Sequence, residues 1–272
     1  MSTLIIKPAG GWRNLRLKEL WEYRELLLFL VWKDIKVRYK QTAVGAAWAI
    51  IQPLLSMLIF TVFFGKLARI PSDNIPYPIF SYTALIVWTY FAGSLTSGVE
   101  SVVAYRQVIT KVYFPRIFLP LTPVIRGLLD FVIAFVLLLL LMVFYHITPT
   151  PAIWTTPLFL LLAILTSAGV GLWLAALNVT YRDIQYVTPF LVQAWLFATP
   201  IAYPSSLVPA RWRPLYGLNP MVGVIEGFRW ALLGKSRPDF SMLGVSTAIV
   251  ILILVSGFVF FRNTERSFAD VV

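Results

Sequence analysis

Residues 33–65 read KDIKVRYKQTAVGAAWAIIQPLLSMLIFTVFFG, and this stretch decides the fold of the chain. It begins with a cationic collar, which we define as Lys33, Lys36, Arg38 and Lys40. Twenty-two uncharged residues follow at 44–65. Because a hydrocarbon core of about 30 Å needs roughly 20 helical residues at about 1.5 Å each, the stretch predicts a membrane span.

The composition excludes an ordinary water-soluble domain. Of the 272 residues, 59% are hydrophobic and 13% are charged, and the mean hydropathy is +0.79. Such an apolar excess would face water in a soluble fold, so lipid is the expected solvent. The net charge of +11 does not indicate a nucleic-acid partner, because the cations lie between apolar runs rather than on one polar face.

Uncharged windows predict an all-α integral membrane protein with six transmembrane helices between residues 44 and 262. The predicted spans are 44–65, 75–103, 117–145, 153–181, 184–203 and 240–261. Residues 1–43 are expected to form an amphipathic interfacial segment, and 263–272 a tail after the last span. The third span must include Arg126 and Asp130, which are four residues apart and can pair on one helix face or lie at the interface.

The chain after the fifth span is predicted to be irregular, because three prolines each remove a backbone donor: Pro200, Pro204 and Pro209. A short helix follows, with Asn219 as N-cap, Pro220 in the first position and Gly234 past the last turn. Its length of about 21 Å predicts a helix that dips into the membrane or lies on it.

The positive-inside rule places the N-terminus in the cytoplasm but leaves the C-terminal half open. Nine Lys and Arg residues precede residue 41, whereas the loop between spans three and four has none. Segment 205–239 would then lie outside, although it carries five cations. If the fifth element re-entered from the cytoplasm instead, that segment would lie inside and the C-terminus outside.

The sequence has no motif for ATP hydrolysis or for other enzyme chemistry. The phosphate-binding pattern G-x-x-x-x-G-K-[ST] is absent, so any ATP and Mg²⁺ would be bound by a partner chain. There is no cysteine, and His146 has no second metal ligand near it. We therefore predict no catalytic residue, cofactor or metal in this chain. Ion-coupled transporters usually need ionisable groups inside their spans, and Glu100, Arg126 and Asp130 come closest to this, which keeps such a transporter as an alternative.

Three stretches together resemble the membrane subunit of ATP-binding-cassette exporters that move O-antigen, capsule or teichoic acid polymers. The first is 32–42 with Gly45, Trp48 and Pro53. The second is 178–184, continuing through Pro189 and Phe190 to Thr199 and Pro200. The third is 219–221, continuing through Glu226, Phe228 and Arg229. The similarity extends along essentially the whole chain.

The resemblance implies a homodimer of six-span permeases in a bacterial inner membrane, with both termini in the cytoplasm and two P-loop ATPase chains bound there. The implied substrate is a lipid-linked polysaccharide. The resemblance also places 205–239 outside, as short re-entrant or gate helices near the exit, with four gate residues: Asn219, Pro220, Glu226 and Arg229. The alternatives are a secondary transporter, a lipid flippase and a non-transporting membrane scaffold.

Three further groups of residues acquire roles from this reading. The loop between spans two and three would dock on the ATPase through Tyr105, Arg106, Lys111, Tyr113, Phe114 and Arg116. A second docking contact, after span four, would consist of Arg182 and Asp183. The cationic collar would meet lipid phosphates. Aromatic faces would line a glycan channel: Trp48, Trp88, Tyr90, Phe91, Trp195 and Phe197. By residue type alone, the loop is an ordinary cytoplasmic loop and the aromatics are interfacial belts.

Overall fold

The structure, a computed structural model, describes residues 17–40, 47–234, 239–265 and 268, and it has no strand among them. The helices are α1 (Leu17–Glu22), α2 (Arg24–Lys40), α3 (Trp48–Phe60), α4 (Tyr77–Ala104), α5 (Arg106–Ile109), α6 (Phe118–Phe144), α7 (Thr156–Thr180), α8 (Ile184–Phe197), α9 (Arg213–Tyr216), α10 (Pro220–Leu233) and α11 (Phe240–Thr264). A π-helix at Thr61–Leu67 continues α3, and 3-10 turns lie at Pro151–Thr155, Ser205–Leu207 and Ala210–Trp212. Residues 1–16 and 41–46, residues 235–238 of the predicted gate segment, and residues 266–267 and 269–272 of the predicted tail lie outside the described part.

The prediction of an all-α membrane protein is confirmed, and five helices are long and apolar enough to cross a bilayer: Trp48–Leu67, Tyr77–Ala104, Phe118–Phe144, Pro151–Thr180 and Phe240–Thr264. The predicted fifth span, 184–203, contains only the fourteen-residue helix α8. Its rise of about 21 Å is less than a bilayer core requires. The chain is a multi-pass membrane protein whose fifth predicted element is a short helix followed by turns.

Helix α4 forms the centre of the bundle and defines its two ends. Most of its side chains are buried, because α3, α6, α7, α8 and α10 pack around it. A helix that is apolar on all sides is stable when it is surrounded in this way. We call the two ends of the bundle the Tyr77 end and the Tyr105 end, after the residues at the start of α4 and just past its last turn.

Surface helix α2, loop 105–117 and the last turn of α11 meet at the Tyr105 end. They share a second apolar cluster, which includes Leu30, Ile109, Phe114, Phe261 and Phe268. Burying such side chains stabilises each by roughly 1.5–3 kcal/mol relative to exposure. The described N-terminal helices and residue 265 therefore lie at the same end of the bundle.

The predicted amphipathic pattern of α2 is only partly realised. Leu30 and Val31 are buried, but Phe29, Trp32 and Val37 are exposed. The reason is that α2 turns polar side chains inward, toward charges on α6, and so leaves apolar ones outside. The exposed apolar side of α2 suits a helix that lies against lipid.

Residues 184–203 run along α4 from one end of the bundle to the other. Asn178 donates from Nδ2 to the carbonyl of Val99 (3.0 Å), and its Oδ1 accepts from the backbone N–H of Gln185 (3.1 Å). At the far end, the Tyr77 hydroxyl donates to the carbonyl of Ala202 (2.7 Å). This segment therefore begins near the Tyr105 end and finishes at the Tyr77 end.

The ends of α10 are those predicted from the sequence. The Asn219 side chain accepts from the backbone N–H of Met221 (3.0 Å), and Pro220 occupies the first turn. Gly234 follows at φ 68°, a left-handed conformation that glycine adopts without strain. Almost every side chain of α10 is buried among α4, α7 and α11, so this short helix lies inside the bundle.

Candidate functional site

Two ion pairs, which we call the rungs, join surface helix α2 to α6. Arg38 Nη2 lies 3.0 Å from Asp130 Oδ2, and Arg126 Nη1 lies 3.9 Å from Asp34 Oδ2. Tyr39 also donates its hydroxyl to Asp130. The possible pairing of Arg126 with Asp130 is therefore replaced by pairing between helices. Both helices carry their two charges four residues apart, so the rungs match in register.

Tyr105, which caps α4, extends this polar cluster. Its hydroxyl donates to Asp34 Oδ1 (3.0 Å) and accepts from Lys33 Nζ (3.1 Å). Burial raises the pKa of Tyr105, and burial with the Asp130 hydrogen bond raises the pKa of Tyr39 to about 12. Both hydroxyls therefore remain protonated donors at neutral pH.

All four members of the cationic collar are exposed, and two of them also contact the bundle. Lys33 and Arg38 are engaged by Tyr105 and Asp130. The Lys36 ammonium lies 5.1 Å from the ring centroid of Trp32, and both Lys36 and Lys40 are exposed. Lys36 and Lys40 are thus exposed collar residues that can meet a ligand from outside the bundle.

The predicted docking loop is braced from inside at the Tyr105 end. Arg116 donates to the backbone carbonyl of Glu265, and Tyr113 donates to Glu19 Oε1 (2.7 Å). Arg106, Lys111 and Tyr113 are exposed. The prediction of a docking anchor at Phe114 requires correction, because this side chain is only 5% exposed and packs in the second apolar cluster.

The predicted second docking contact, Arg182 and Asp183, is exposed between α7 and α8. Asn178, one turn earlier, contacts Val99 of α4 and so fixes this corner toward the Tyr105 end. Both predicted docking segments therefore lie toward the same end of the bundle.

Half of the predicted channel aromatics belong to the protein core. Trp88 and Phe91 pack against Trp195, with ring centroids 6.4 and 5.1 Å apart, and Tyr90 donates to the carbonyl of Val124. Trp88, Tyr90 and Phe91 are at most 4% exposed, so they do not lie on the outer surface of this chain, although Trp88 and Tyr90 line an internal cavity. Trp195 is partly buried, and its indole N–H donates to Asn219 Oδ1 (2.8 Å).

Helix α8 carries an exposed aromatic stripe, of which the sequence analysis predicted only Phe197. We define it as Tyr186, Phe190, Gln193 and Phe197, and its three aromatic members are 75%, 72% and 56% exposed. The spacing of 4, 3 and 4 residues puts all four on one helix face. The sequence shows this helical spacing, but α8 has other apolar residues around it, so the spacing alone did not distinguish the stripe. Trp48 on α3 is also exposed.

Two of the predicted gate residues, Asn219 and Arg229, contact the turns after α8 from two parts of α10. Arg229 Nη1 lies 3.1 Å from Glu226 Oε1, and Arg229 Nη2 donates to the carbonyl of Ile201 (2.9 Å). The Arg229 guanidinium also lies 3.6 Å from the ring centroid of Phe80. Asn219 donates from Nδ2 to Thr199 Oγ1 (2.9 Å). Helix α10 is thereby tied to the turns that follow α8.

Within the described residues, no group of three or more His, Cys, Asp or Glu side chains could hold a metal ion. The fold and these contacts define a multi-pass helical membrane protein with polar clusters at both ends. The sequence model described as "ABC-2 type transporter" matches residues 25–233, and the chain belongs to this family as a permease.

Several curated relatives cover nearly the whole chain. The O-antigen export system permease protein RfbA of Myxococcus xanthus is 32% identical over 93% of this chain and 97% of its own length. A protein of the same name from Klebsiella pneumoniae is 28% identical over 91% and 95%. The polysialic acid transport protein KpsM of Escherichia coli is 26% identical over 88% and 93%. These relatives are named as transport proteins rather than as enzymes.

Proposed function

We propose that this chain is the permease of an ATP-driven exporter that moves a lipid-linked polysaccharide from the cytoplasm across a bacterial inner membrane. The observation that carries the proposal is the match to an O-antigen permease over almost the full length of both chains. A separate P-loop ATPase hydrolyses the ATP, because the sequence has no phosphate-binding loop of this kind. The complex contains two permease and two ATPase chains.

The permease has six crossings, with both termini in the cytoplasm. The course of 184–203 along α4 supports the sixth crossing, and the location of α2 and residue 265 at one end supports termini on one side. Segment 205–239 is then the exit-side gate. Two of its cations have acidic partners, which reduces the conflict with the positive-inside rule. Arg229 is paired with Glu226, and Arg213 lies 3.9 Å from Asp239.

The glycan slides between two copies of the permease, over the α8 stripe and Trp48. Flat apolar ring faces stack on sugars without requiring one hydroxyl pattern, which suits a long polymer. Lys36 and Lys40 meet the phosphates of the lipid-linked end at the cytoplasmic leaflet. The exposure of these side chains supports both roles.

Polymer export in a cell that lacks the gene tests this function. The intact chain is expected to restore surface polysaccharide, and Phe190→Ala to lower export by about two- to tenfold if a ring–sugar contact is worth about 0.5–1.5 kcal/mol. Phe144→Ala, which removes an exposed ring at the end of α6, is the matched control. Restoration that persists without any P-loop ATPase but responds to an ion gradient would contradict the proposal and indicate a secondary transporter.

Loop 105–117 docks on the ATPase through Arg106, Lys111 and Tyr113. The exposed cations of the loop imply an acidic surface on the ATPase, which would repel a glutamate in their place. Charge reversal by Lys111→Glu is therefore expected to reduce the ATPase that co-purifies with the tagged permease by several-fold. Lys66→Glu, an exposed change near the Tyr77 end, is the control. Equal recovery of ATPase with both variants would rule out this docking surface.

A further inference from the structure

A cavity of about 270 Å³ lies between α3, α4 and α6, under the inner side of α2, and is partly open. Its lining is polar near α2 and apolar toward the Tyr77 end. The polar part includes Arg38, Gln52, Arg126 and Asp130, and the apolar part includes Phe60, Leu85, Ala134 and Leu196. From Ser94 to Leu85 on α4 the cavity extends about 14 Å along the helix axis. It therefore has the shape and polarity of a site for an amphiphile.

The rungs beside the polar part of the cavity carry balanced charge, because two arginines face two aspartates. Arg38, Arg126 and Asp130 line the cavity itself, and Asp34, the partner of Arg126, lines a second cavity next to it. Two positive and two negative charges sum to zero, so a ligand with a net negative charge gains little from this cluster. A headgroup that carries one charge of each sign complements it instead.

Arg126 has unused hydrogen-bonding capacity. Its ion pair with Asp34 is long, at 3.9 Å, and Nη2 donates to Ser97 (3.2 Å). Its buried Nε has no hydrogen-bond partner in the described part of the chain. Buried charged donors are normally satisfied, so the cavity offers this arginine to an anionic group. A second cavity of about 170 Å³, lined by Asp34, Glu100 and Tyr105, also reaches Arg126 and continues the polar space.

We propose that this cavity binds a phospholipid with a phosphoethanolamine headgroup. The phosphate lies against Arg126 and Arg38, the primary ammonium donates to Asp130, and the first methylenes of an acyl chain fill the apolar part. The volume is just below the roughly 300 Å³ at which small-molecule sites begin, which suits a headgroup and a short length of chain. The lipid is a resident of the permease and is separate from the exported glycan.

The charged residues of the cavity predict which phospholipid headgroup it selects. A phosphocholine headgroup has a quaternary nitrogen without N–H, so it cannot donate to Asp130. A phosphoglycerol headgroup has no cation to pair with Asp130, and its net negative charge lies close to that carboxylate. Phosphoethanolamine alone among the three satisfies both the arginines and the carboxylate.

Native mass spectrometry of the full-length chain in detergent tests the assignment. The protein is incubated with equal amounts of phosphatidylethanolamine, phosphatidylcholine and phosphatidylglycerol that have matched acyl chains. The intact protein is expected to retain the ethanolamine lipid about tenfold better than the other two, the ratio that about 1.4 kcal/mol produces. Equal retention of the three lipids would overturn the proposal.

Variants of the cluster separate a binding role from a structural one. Arg126→Gln is expected to lose the retained lipid, whereas Arg126→Lys keeps the charge and retains part of it. Asp130→Asn leaves one arginine uncompensated and is expected to shift the preference toward phosphatidylglycerol. Lys66→Gln, near the Tyr77 end, should leave retention unchanged. A preference that does not move in Asp130→Asn would contradict the assigned contacts even if Arg126→Gln fails to fold.

Two soluble competitors identify the source of the phosphate. Glycerophosphoethanolamine, the headgroup alone, is expected to compete at least tenfold more weakly than the whole lipid, because it lacks the chain in the apolar part. Inorganic phosphate is expected not to compete. Competition by either as strong as that of the lipid would overturn the lipid assignment. Because none of these measurements involves export, they remain decisive whether or not the proposed function is correct.

Discussion

Arg229→Met is expected to destabilise the protein by about 3–5 kcal/mol, the usual cost of removing one member of a buried ion pair. The variant removes the partner of Glu226 at 3.1 Å and the donor to the Ile201 carbonyl, and it leaves the Glu226 carboxylate buried. Thermal unfolding of the purified protein should show the melting temperature lowered by roughly 10 °C. Arg211→Met, which changes an exposed arginine of the same segment, is the matched control.

A double variant shows where this loss originates. If the cost comes from the stranded carboxylate, Glu226→Leu combined with Arg229→Met should recover most of the lost stability, because no uncompensated charge remains. If the double variant is as unstable as Arg229→Met alone, the contacts to Ile201 and Phe80 carry the stability instead. That result would contradict the charge argument but keep the tie between α10 and the turns after α8.

Gly257→Ala is expected to force α7 and α11 apart. A Cβ atom at position 257 would lie 2.4 Å from the carbonyl oxygen of Gly169 and 3.0 Å from Trp173 Cδ1. A backbone oxygen in a helix cannot rotate away, so the helices themselves must shift, at a cost of about 1–3 kcal/mol for overpacking. Thermal unfolding measures the loss.

Gly244→Ala is the control for this prediction, because it lies on the same helix and nothing lies within 4 Å of its added Cβ. Alanine is a better helix former than glycine by about 1 kcal/mol, so this control should leave the melting temperature unchanged or raise it slightly. A Gly257→Ala variant as stable as Gly244→Ala would show that the two helices can separate without cost.

Features that depend on local sequence were predicted well. The five long spans follow from long, mainly apolar runs, because bilayer thickness sets a minimum helix length. The ends of α10 follow from Asn219, Pro220 and Gly234, because a cap depends only on residues within one turn. The prolines after residue 199 likewise predicted that regular helix would stop, and α8 ends at Phe197.

Local sequence did not predict which aromatic residues are buried and which are exposed. Trp88 and Phe91 are buried, whereas Tyr186 and Phe190 are exposed, although all four lie in apolar helices. In water, polarity distinguishes the outer face of a helix from the inner one. In lipid both faces are apolar, so periodicity carries little information about which side faces the protein.

By itself, the sequence determined that this protein is a helical membrane permease, because span length, helix caps and family motifs each depend on residues that are close together in the sequence. Only the tertiary structure decided which charges meet. Arg126 and Asp130 had the spacing to pair along α6, but Asp34 and Arg38 of α2 lie opposite them and take both partners. Such pairing joins residues about ninety positions apart, and it depends on where α2 packs rather than on any local pattern. The cavity behind the collar exists for the same reason.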